Sequence, residues 1–249
     1  MAAVQPRRLS WRLAQVVEVV SETPRTKSLV LEVPDWGGHK AGQHVDVRLT
    51  AEDGYQAQRS YSIASAPEEG RLVLTVDRIE EGEVSPYLTD ILRAEDKLEL
   101  RGPIGGYFAW EAEDGGPLLL VAGGSGMVPL MAMIRHRSAV KSEVPTRLLY
   151  SSRSYEEIIY REELEKLTAR DGSLEVIYTL TRSRPEYWDG YDRRIDAEML
   201  AEASWPPEER PLCFVCGPTP LVEAVGSTLV GLGHDPPLVK TERFGPTGY

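Results

Sequence analysis

The feature that most restricts the fold is a change of hydrophobic rhythm part-way along the chain. From Trp11 to about Arg101 the apolar residues fall into short β-type runs separated by turn chemistry: Leu13 to Val20, Ser28 to Val33, His44 to Leu49, Arg59 to Ile63, Leu72 to Ile79 and Lys97 to Leu100. Short strands at that spacing point to a small antiparallel barrel. One helical insert breaks the series, where Ser85 offers an N-cap and Pro86 a first-turn proline ahead of Tyr87 to Leu92. Gly102 to Phe108 reads as a rigid turn leaving the barrel, and Trp110 to Pro117 has the acidic, glycine-rich make-up of a linker. Beyond it strands and helices alternate: Leu118 to Ala122, Thr146 to Ser151, Leu174 to Leu180, Leu212 to Cys216 and Leu238 to Thr241, with helical stretches at Val128 to Arg137, Ile158 to Ala169 and Leu221 to Leu232. That alternation specifies a doubly wound parallel sheet. The chain is therefore expected to fold as two domains, an antiparallel β-barrel over 8–112 and an α/β domain over 113–249.

Composition excludes several partners. A net charge of -11 over 249 residues argues against nucleic acid, because a polyanion needs a basic face. No apolar run approaches the roughly 18 residues of a membrane helix, and Met1 to Pro6 has no apolar signal core, so no membrane insertion and a cytoplasmic location are expected. Cys213 and Cys216 are the only cysteines, too few for a four-cysteine iron-sulfur cluster or a disulfide framework. Their C-x-x-C spacing lies in a strand, where residues three apart point to opposite faces, so the thiols should not meet. His39, His44, His136 and His234 fall in no catalytic or metal-ligand spacing and read as structural or surface residues; no metal is expected.

Several stretches have the chemistry of nucleotide binding. Arg59-Ser60-Tyr61-Ser62-Ile63-Ala64-Ser65 packs a guanidinium, an aromatic ring and hydroxyl groups into one extended segment. It suits either an edge strand with a surface arginine or a phosphate contact beside a flat stacking surface, as a flavin nucleotide requires. Gly82, three residues before Ser85, would turn the backbone and aim free N-H groups at a phosphate. The same residues suit a plain capped loop, and Glu80, Glu81 and Glu83 oppose an anion unless they face away. Gly123-Gly124-Ser125-Gly126 follows a strand and opens a helix, an arrangement that can hold a pyrophosphate, although Pro129 stands where the full dinucleotide fingerprint has glycine or alanine. Ser152 and Arg153 close the second strand and Arg182 follows the third, with no Asp or Glu placed to engage both ribose hydroxyls; this suits the 2′-phosphate of NADPH. Cys216 and Gly217 end another strand on a glycine turn at the same edge. Lys240 to Tyr249 reads as a tail, either frayed or laid across the barrel, with Phe244 as a second stacking face.

Taken together these motifs resemble the ferredoxin-NADP reductase family, from about Leu13 to Phe244. Arg59, Tyr61 and Ser62 meet its R-x-Y-S flavin signature, Gly82 and Ser85 its G-x-x-S element, Gly123 to Gly126 its G-G-T-G turn with serine for threonine, and Cys216 and Gly217 its C-G-x-x motif. The resemblance implies FAD on the barrel and NADPH, or NADH, on the α/β domain. It implies hydride transfer to flavin N5, then one-electron steps to a separate redox protein such as a ferredoxin. By the same resemblance Arg59 holds the flavin pyrophosphate with Ser60 beside it, Tyr61 stacks on the isoalloxazine and Ser62 bonds near N5. Val76 and Arg78 supply flavin backbone contacts, and Gly82, Val84 and Ser85 complete the phosphate cradle. Ser125 and Cys216 flank the nicotinamide, Glu242 reaches the same pocket, and Phe244 covers the flavin's other face. Two other readings stand beside it: a flavin or quinone reductase acting on a small acceptor, and a non-catalytic nucleotide-binding regulatory subunit.

Overall fold

In the first half, side-chain alternation decides which face turns inward. The computed structural model describes residues 9–245. Strands β1 (Arg12–Ser21), β2 (Thr26–Glu32), β3 (His44–Thr50), β4 (Gln56–Ser62), β5 (Leu72–Asp77) and β6 (Lys97–Ile104) form one antiparallel sheet in the order β4-β3-β6-β1-β2-β5. Val16, Leu29, Leu31, Val45, Val47, Leu74 and Leu100 turn to its inner face and are buried together. The two edge strands curl round to meet. Ile63 bridges to Leu74, and the Ala64 N-H donates to the Val73 carbonyl at 2.8 Å, so the barrel closes directly after Tyr61 and Ser62.

The insert is a single π-type turn, Tyr87–Ile91, whose buried Leu88 and neighbouring Leu92 plug the barrel. Ser85 does not cap it. The turn from Ile79 to Gly82, closed by a 2.9 Å bond from the Gly82 N-H, folds the chain back so that Ser85 Oγ accepts the Ile79 N-H at 3.0 Å. Gly102 and Pro103 lie inside β6 rather than after it. They sit where the β3–β6 register slips between His44 and Asp46, a place where a residue without an N-H costs no ladder bond. Trp110 is no part of an exposed linker. It is fully buried, its backbone N-H bonds Ala41 and its indole donates to the Gly115 carbonyl at 3.0 Å.

The second half comprises β7 (Leu118–Gly123), α1 (Met127–Ala139), β8 (Thr146–Ser152), α2 (Arg161–Thr168), β9 (Leu174–Leu180), α3 (Ala197–Ala203), β10 (Leu212–Pro218), α4 (Thr219–Gly231) and β11 (Val239–Phe244). Its sheet is parallel, in the order β11-β10-β7-β8-β9. From central β7 the chain builds outward to β9, then crosses back to place β10 on β7's other side. The strand order thus reverses between β7 and β10, where a doubly wound sheet opens a crevice at its carboxyl end. Lys240 to Phe244 are not a tail but part of edge strand β11, and residues 246–249 lie outside the described part.

Helix α1 is buried on every side from Met127 to Ile134, because it has the sheet on one face and the barrel on another. Arg135 reaches from it to the Ala64 carbonyl at 2.8 Å and forks onto Glu163 at 2.8 and 2.6 Å. At Gly42 the barrel comes so close that an added Cβ would lie 2.0 Å from the Phe108 oxygen and 2.7 Å from Met133 Cε, with φ at +95° as well. Among the described residues no helix is long and apolar enough to cross a membrane, and no cluster of ligating side chains could hold a metal. Gly42→Ala is expected to lower stability by about 2 kcal/mol or more, since both backbone strain and overlap oppose it. Urea unfolding checks this, and an unchanged midpoint would mean that Gly42 does not lie against the Phe108 backbone in this conformation.

Candidate functional site

Two glycine turns meet at the crevice. β7 ends on Gly123, and a 3-10 turn, Gly124–Gly126, leads into α1; β10 ends on Cys216, Gly217 and Pro218. A Cβ on Gly126 would stand 2.1 Å from the Cys216 oxygen, and one on Gly217 3.2 Å from the Gly123 backbone. At Gly126 only glycine permits this approach. Gly124 is different: its φ of +54° is left-handed and nothing lies within 4 Å of the place a Cβ would take, so the turn faces open space. Nearby, at the start of α4, Thr219 Oγ1 is buried with no hydrogen-bond partner. An open glycine turn at the switch point and an orphaned hydroxyl beside it fit a nucleotide. Sequence reasoning missed Thr219, because nothing local distinguishes it from a plain N-terminal helix residue.

Farther along this edge, Ser152 donates to the Ser154 carbonyl at 3.1 Å, and the Arg182 N-H bonds the Arg153 carbonyl at 2.9 Å. The loops after β8 and β9 are thereby joined. Arg153 and Arg182 are both exposed, and among the described residues neither guanidinium is paired with a carboxylate.

On the barrel, the register of β4 against β3 sorts the signature residues by face. Ser60 and Ser62 stand opposite Asp46 and His44, whereas Arg59 and Tyr61 stand opposite core residues Val47 and Val45. Tyr61 packs against the core, and burial pushes its hydroxyl pKa up. Arg59 is half-exposed, with Nη2 3.2 Å from Glu83, which also accepts the Tyr55 hydroxyl at 2.8 Å. Glu83 therefore faces the arginine rather than away from it. A phosphate on Arg59 would take the carboxylate's place.

Several of the expected cofactor contacts already have protein partners. The Ser60 hydroxyl is committed to Asp46 at 2.7 Å, on the barrel's outer face beside Arg101. Ser85 is committed to Ile79, as described, while Val84 is buried and Gly82 shapes that turn. The backbone of Arg78 is also taken, its N-H by the Arg25 carbonyl at 3.0 Å and its carbonyl by the Arg25 guanidinium at 2.6 Å. Its side chain pairs with Asp90 at 2.8 Å. Strand alternation turns Val76 toward β2 in the same way and leaves the polar backbone of Thr75 and Asp77 on the opposite edge.

The halves join at Ser62, Cys216 and Glu242. Cys216 and Glu242 are register partners on β10 and β11. Burial lifts the Glu242 carboxyl to a pKa of about 7, and hydrogen bonding with the Ser62 hydroxyl from the barrel draws it partly back. The Cys216 thiol is pushed well above its usual value by burial and then by the Glu242 charge, so it stays neutral. Cys213 lies in the core on the other side of the sheet and both thiols are free, as the strand spacing requires. Ser125 lies on the Gly124 turn, which itself rests against β5. Phe244 ends β11 opposite Pro218 and is 37% exposed. His44 was read as structural or surface, yet it stands directly across from Ser62, and burial lowers its pKa. Two surface concavities lie elsewhere, between α2 and β9 and beside β1, and neither is lined by these residues.

Residues 13–109 match the oxidoreductase FAD-binding domain and residues 120–227 the oxidoreductase NAD-binding domain. Over 239 residues the chain is 33% identical to the glycine betaine monooxygenase reductase subunit of Pseudomonas aeruginosa, covering 94% of this chain and 64% of that relative. It thus spans less than two thirds of that protein. It is 32% identical over 205 residues to NADH-cytochrome b5 reductase 1 of Aspergillus terreus, covering 79% of this chain and 68% of the other. Among solved structures, the flavohem-like FAD/NAD-binding domain of nitric oxide dioxygenase from Vibrio cholerae superposes with a TM-score of 0.84 at 26% identity, covering 94% of this chain and 99% of that one.

An acid whose pKa is higher folded than unfolded binds more protons in the native state, so its contribution to stability is lost as pH rises through that interval. For Glu242 the interval runs from the ordinary 4.5 to about 7. In urea unfolding of the flavin-free protein, Glu242→Gln is expected to gain stability relative to the unaltered chain as pH rises across it. A difference that stays constant over the interval would mean that the carboxyl is not buried at this junction.

Proposed function

Because the chain belongs to the two-domain ferredoxin-NADP reductase family, with an FAD-binding barrel followed by an NAD-binding α/β domain, we propose that it takes hydride from NADPH onto FAD and passes electrons to a separate redox protein. The observation that carries this reading is the junction of Ser62 with Glu242 and Cys216, one residue from the barrel and two from the nucleotide domain. Bound FAD supplies the step from a two-electron donor to one-electron acceptors. The chain's own residues align and protect. Arg59 exchanges Glu83 for the flavin pyrophosphate, Tyr61 offers its ring as a stacking face, and the Gly124 turn receives the nicotinamide nucleotide. Glu242, with a pKa of about 7, takes up or releases a proton near neutrality through the Ser62 hydroxyl. Cys216, held as a neutral thiol, makes no covalent bond and serves as packing.

The acceptor in this proposal is a protein with a one-electron centre, such as a ferredoxin, in a cytoplasmic setting. A relative known as the reductase subunit of a monooxygenase supports a protein acceptor over a free flavin or quinone. The chain's two cysteines are too few to ligate a four-cysteine cluster within these 249 residues. NADPH is preferred over NADH because Arg153 and Arg182 present two exposed guanidinium groups on linked loops.

Purified protein loaded with FAD is expected to be yellow, to bleach anaerobically with NADPH, and to reoxidise faster with a ferredoxin-type protein than with free flavin or quinone. A preparation that cannot be loaded with FAD would support a regulatory nucleotide-binding subunit instead. Arg153→Ala combined with Arg182→Ala should weaken NADPH by about tenfold or more and NADH far less, given the strength of charge-assisted phosphate contacts; equal weakening of both rejects the 2′-phosphate assignment. Phe244→Ala should tighten nicotinamide binding and slow turnover through product release. If neither changes, Phe244 is not a gate.

A further inference from the structure

A buried run of hydroxyl groups crosses the domain boundary close to this site. Ser28 on β2 and Thr75 on β5 are register partners, with Oγ and Oγ1 2.8 Å apart. Ser28 Oγ donates to Glu22 Oε1 at 2.5 Å, Glu22 lying in the turn between β1 and β2. From the nucleotide domain, the Tyr160 hydroxyl donates to Thr75 Oγ1 at 2.5 Å. Ser28, Thr75 and Tyr160 are 4%, 4% and 3% exposed, so water does not compete for these bonds. Each hydroxyl has a single proton to give. Ser28 gives its proton to Glu22, so Thr75 must donate to Ser28, and Tyr160 to Thr75. The chain of bonds has one direction, from Tyr160 to the carboxylate, and Glu22 fixes it from the far end.

Two independent observations show that Tyr160 is held. Its φ of +60° is left-handed, a conformation that costs an aromatic residue on the order of 1 to 3 kcal/mol and persists only where the surroundings impose it. The Arg135 guanidinium lies 4.8 Å from its ring centroid while also donating to the Ala64 carbonyl. Tyr160 therefore grips β5 through Thr75, and its neighbour Arg135 grips the exit of β4. These are the two barrel edges that close beside Tyr61 and Ser62, and the Gly124 turn rests on one of them.

Resting on the hydride-transfer reading above, we propose that Glu22, Ser28, Thr75 and Tyr160 form a positioning element that sets the spacing between the flavin-binding edge of the barrel and the nicotinamide-binding turn. Its members act through the strands they join. Spacing is the quantity at stake, because hydride passes efficiently only between atoms about 3 to 3.5 Å apart and a misplacement of about 1 Å costs on the order of a hundredfold.

Thr75→Val removes the central hydroxyl at nearly constant shape and Thr75→Ser keeps it. In the FAD-loaded protein, Thr75→Val and Tyr160→Phe are each expected to cut the long-wavelength charge-transfer absorbance seen with NADPH about threefold and the rate of flavin reduction about tenfold, with less than about a twofold change in FAD affinity. Thr75→Ser should restore both. Glu22→Gln, at the far end of the chain of bonds, should act in the same direction and add little to Tyr160→Phe, because members of one network do not act independently. Undiminished absorbance in Thr75→Val, or losses from Glu22→Gln and Tyr160→Phe that multiply in full, would overturn the proposal. Failure of the hydride-transfer reading is distinguishable, since the unaltered protein would then not be reduced by NADPH at all. Urea midpoints of the flavin-free single and double variants would still report whether Glu22 and Tyr160 are coupled, and independent shifts would refute the chain of bonds.

Discussion

The structure depends on one close approach. Gly126 passes over the Cys216 carbonyl with no room for a side chain, and Gly217 lies close to the Gly123 backbone, where a Cβ would stand at 3.2 Å. That contact fixes β7 beside β10 at the point where strand order reverses, and so fixes where the crevice opens. Everything else at the site is placed relative to it: Cys216 at the end of β10, Glu242 beside it on β11, and Ser62 facing them from the barrel. The barrel can reach that position because its closure falls immediately after Ser62, and because α1 is apolar from Met127 to Ile134 and packs between the parallel sheet and the barrel.

Burial of polar groups at the junction explains its chemistry. A carboxyl shielded from water resists ionisation, and Glu242 is moved to the neutral range by that effect alone; the Ser62 hydroxyl then moderates it. The same shielding keeps the Cys216 thiol protonated. One buried charged side chain is fully matched. Arg137 is 1% exposed, and it is satisfied by the Val144 carbonyl, Asp171 and Ser173. The Thr219 hydroxyl at the crevice, like Arg101 Nε and both His234 ring nitrogens, is a buried polar atom without a partner among the described residues.

What could be read from the sequence was what is encoded locally. The glycine turn at 123–126, the strand-helix alternation and the R-x-Y-S segment each carry their chemistry within a few residues, and the opposed faces of Cys213 and Cys216 follow from strand period alone. What could not be read depended on register or on distant partners. Whether Arg78 or Thr75 turns its backbone to the open edge is decided by how β5 pairs with β2, which no single segment reveals. Ser85 was expected as a cap, but a turn three residues earlier captured it. Residues 240–244 lack a core of their own and become a strand only because β10 offers a parallel edge. His44 and Tyr160 acquire their places across strands and domains, and neither has a sequence signal.

In the proposed function the R-x-Y-S strand of one domain and the Gly124 turn of the other bracket a single pair of stacked rings. A crystal structure of the protein with FAD and NADP+ tests it most directly. The flavin ring is expected to lie between Tyr61 and the Gly124 turn, with its pyrophosphate on Arg59 in place of Glu83 and with Ser62 and Glu242 along one edge. A flavin bound away from Tyr61, or a nicotinamide nucleotide bound outside the crevice between β7 and β10, would contradict it.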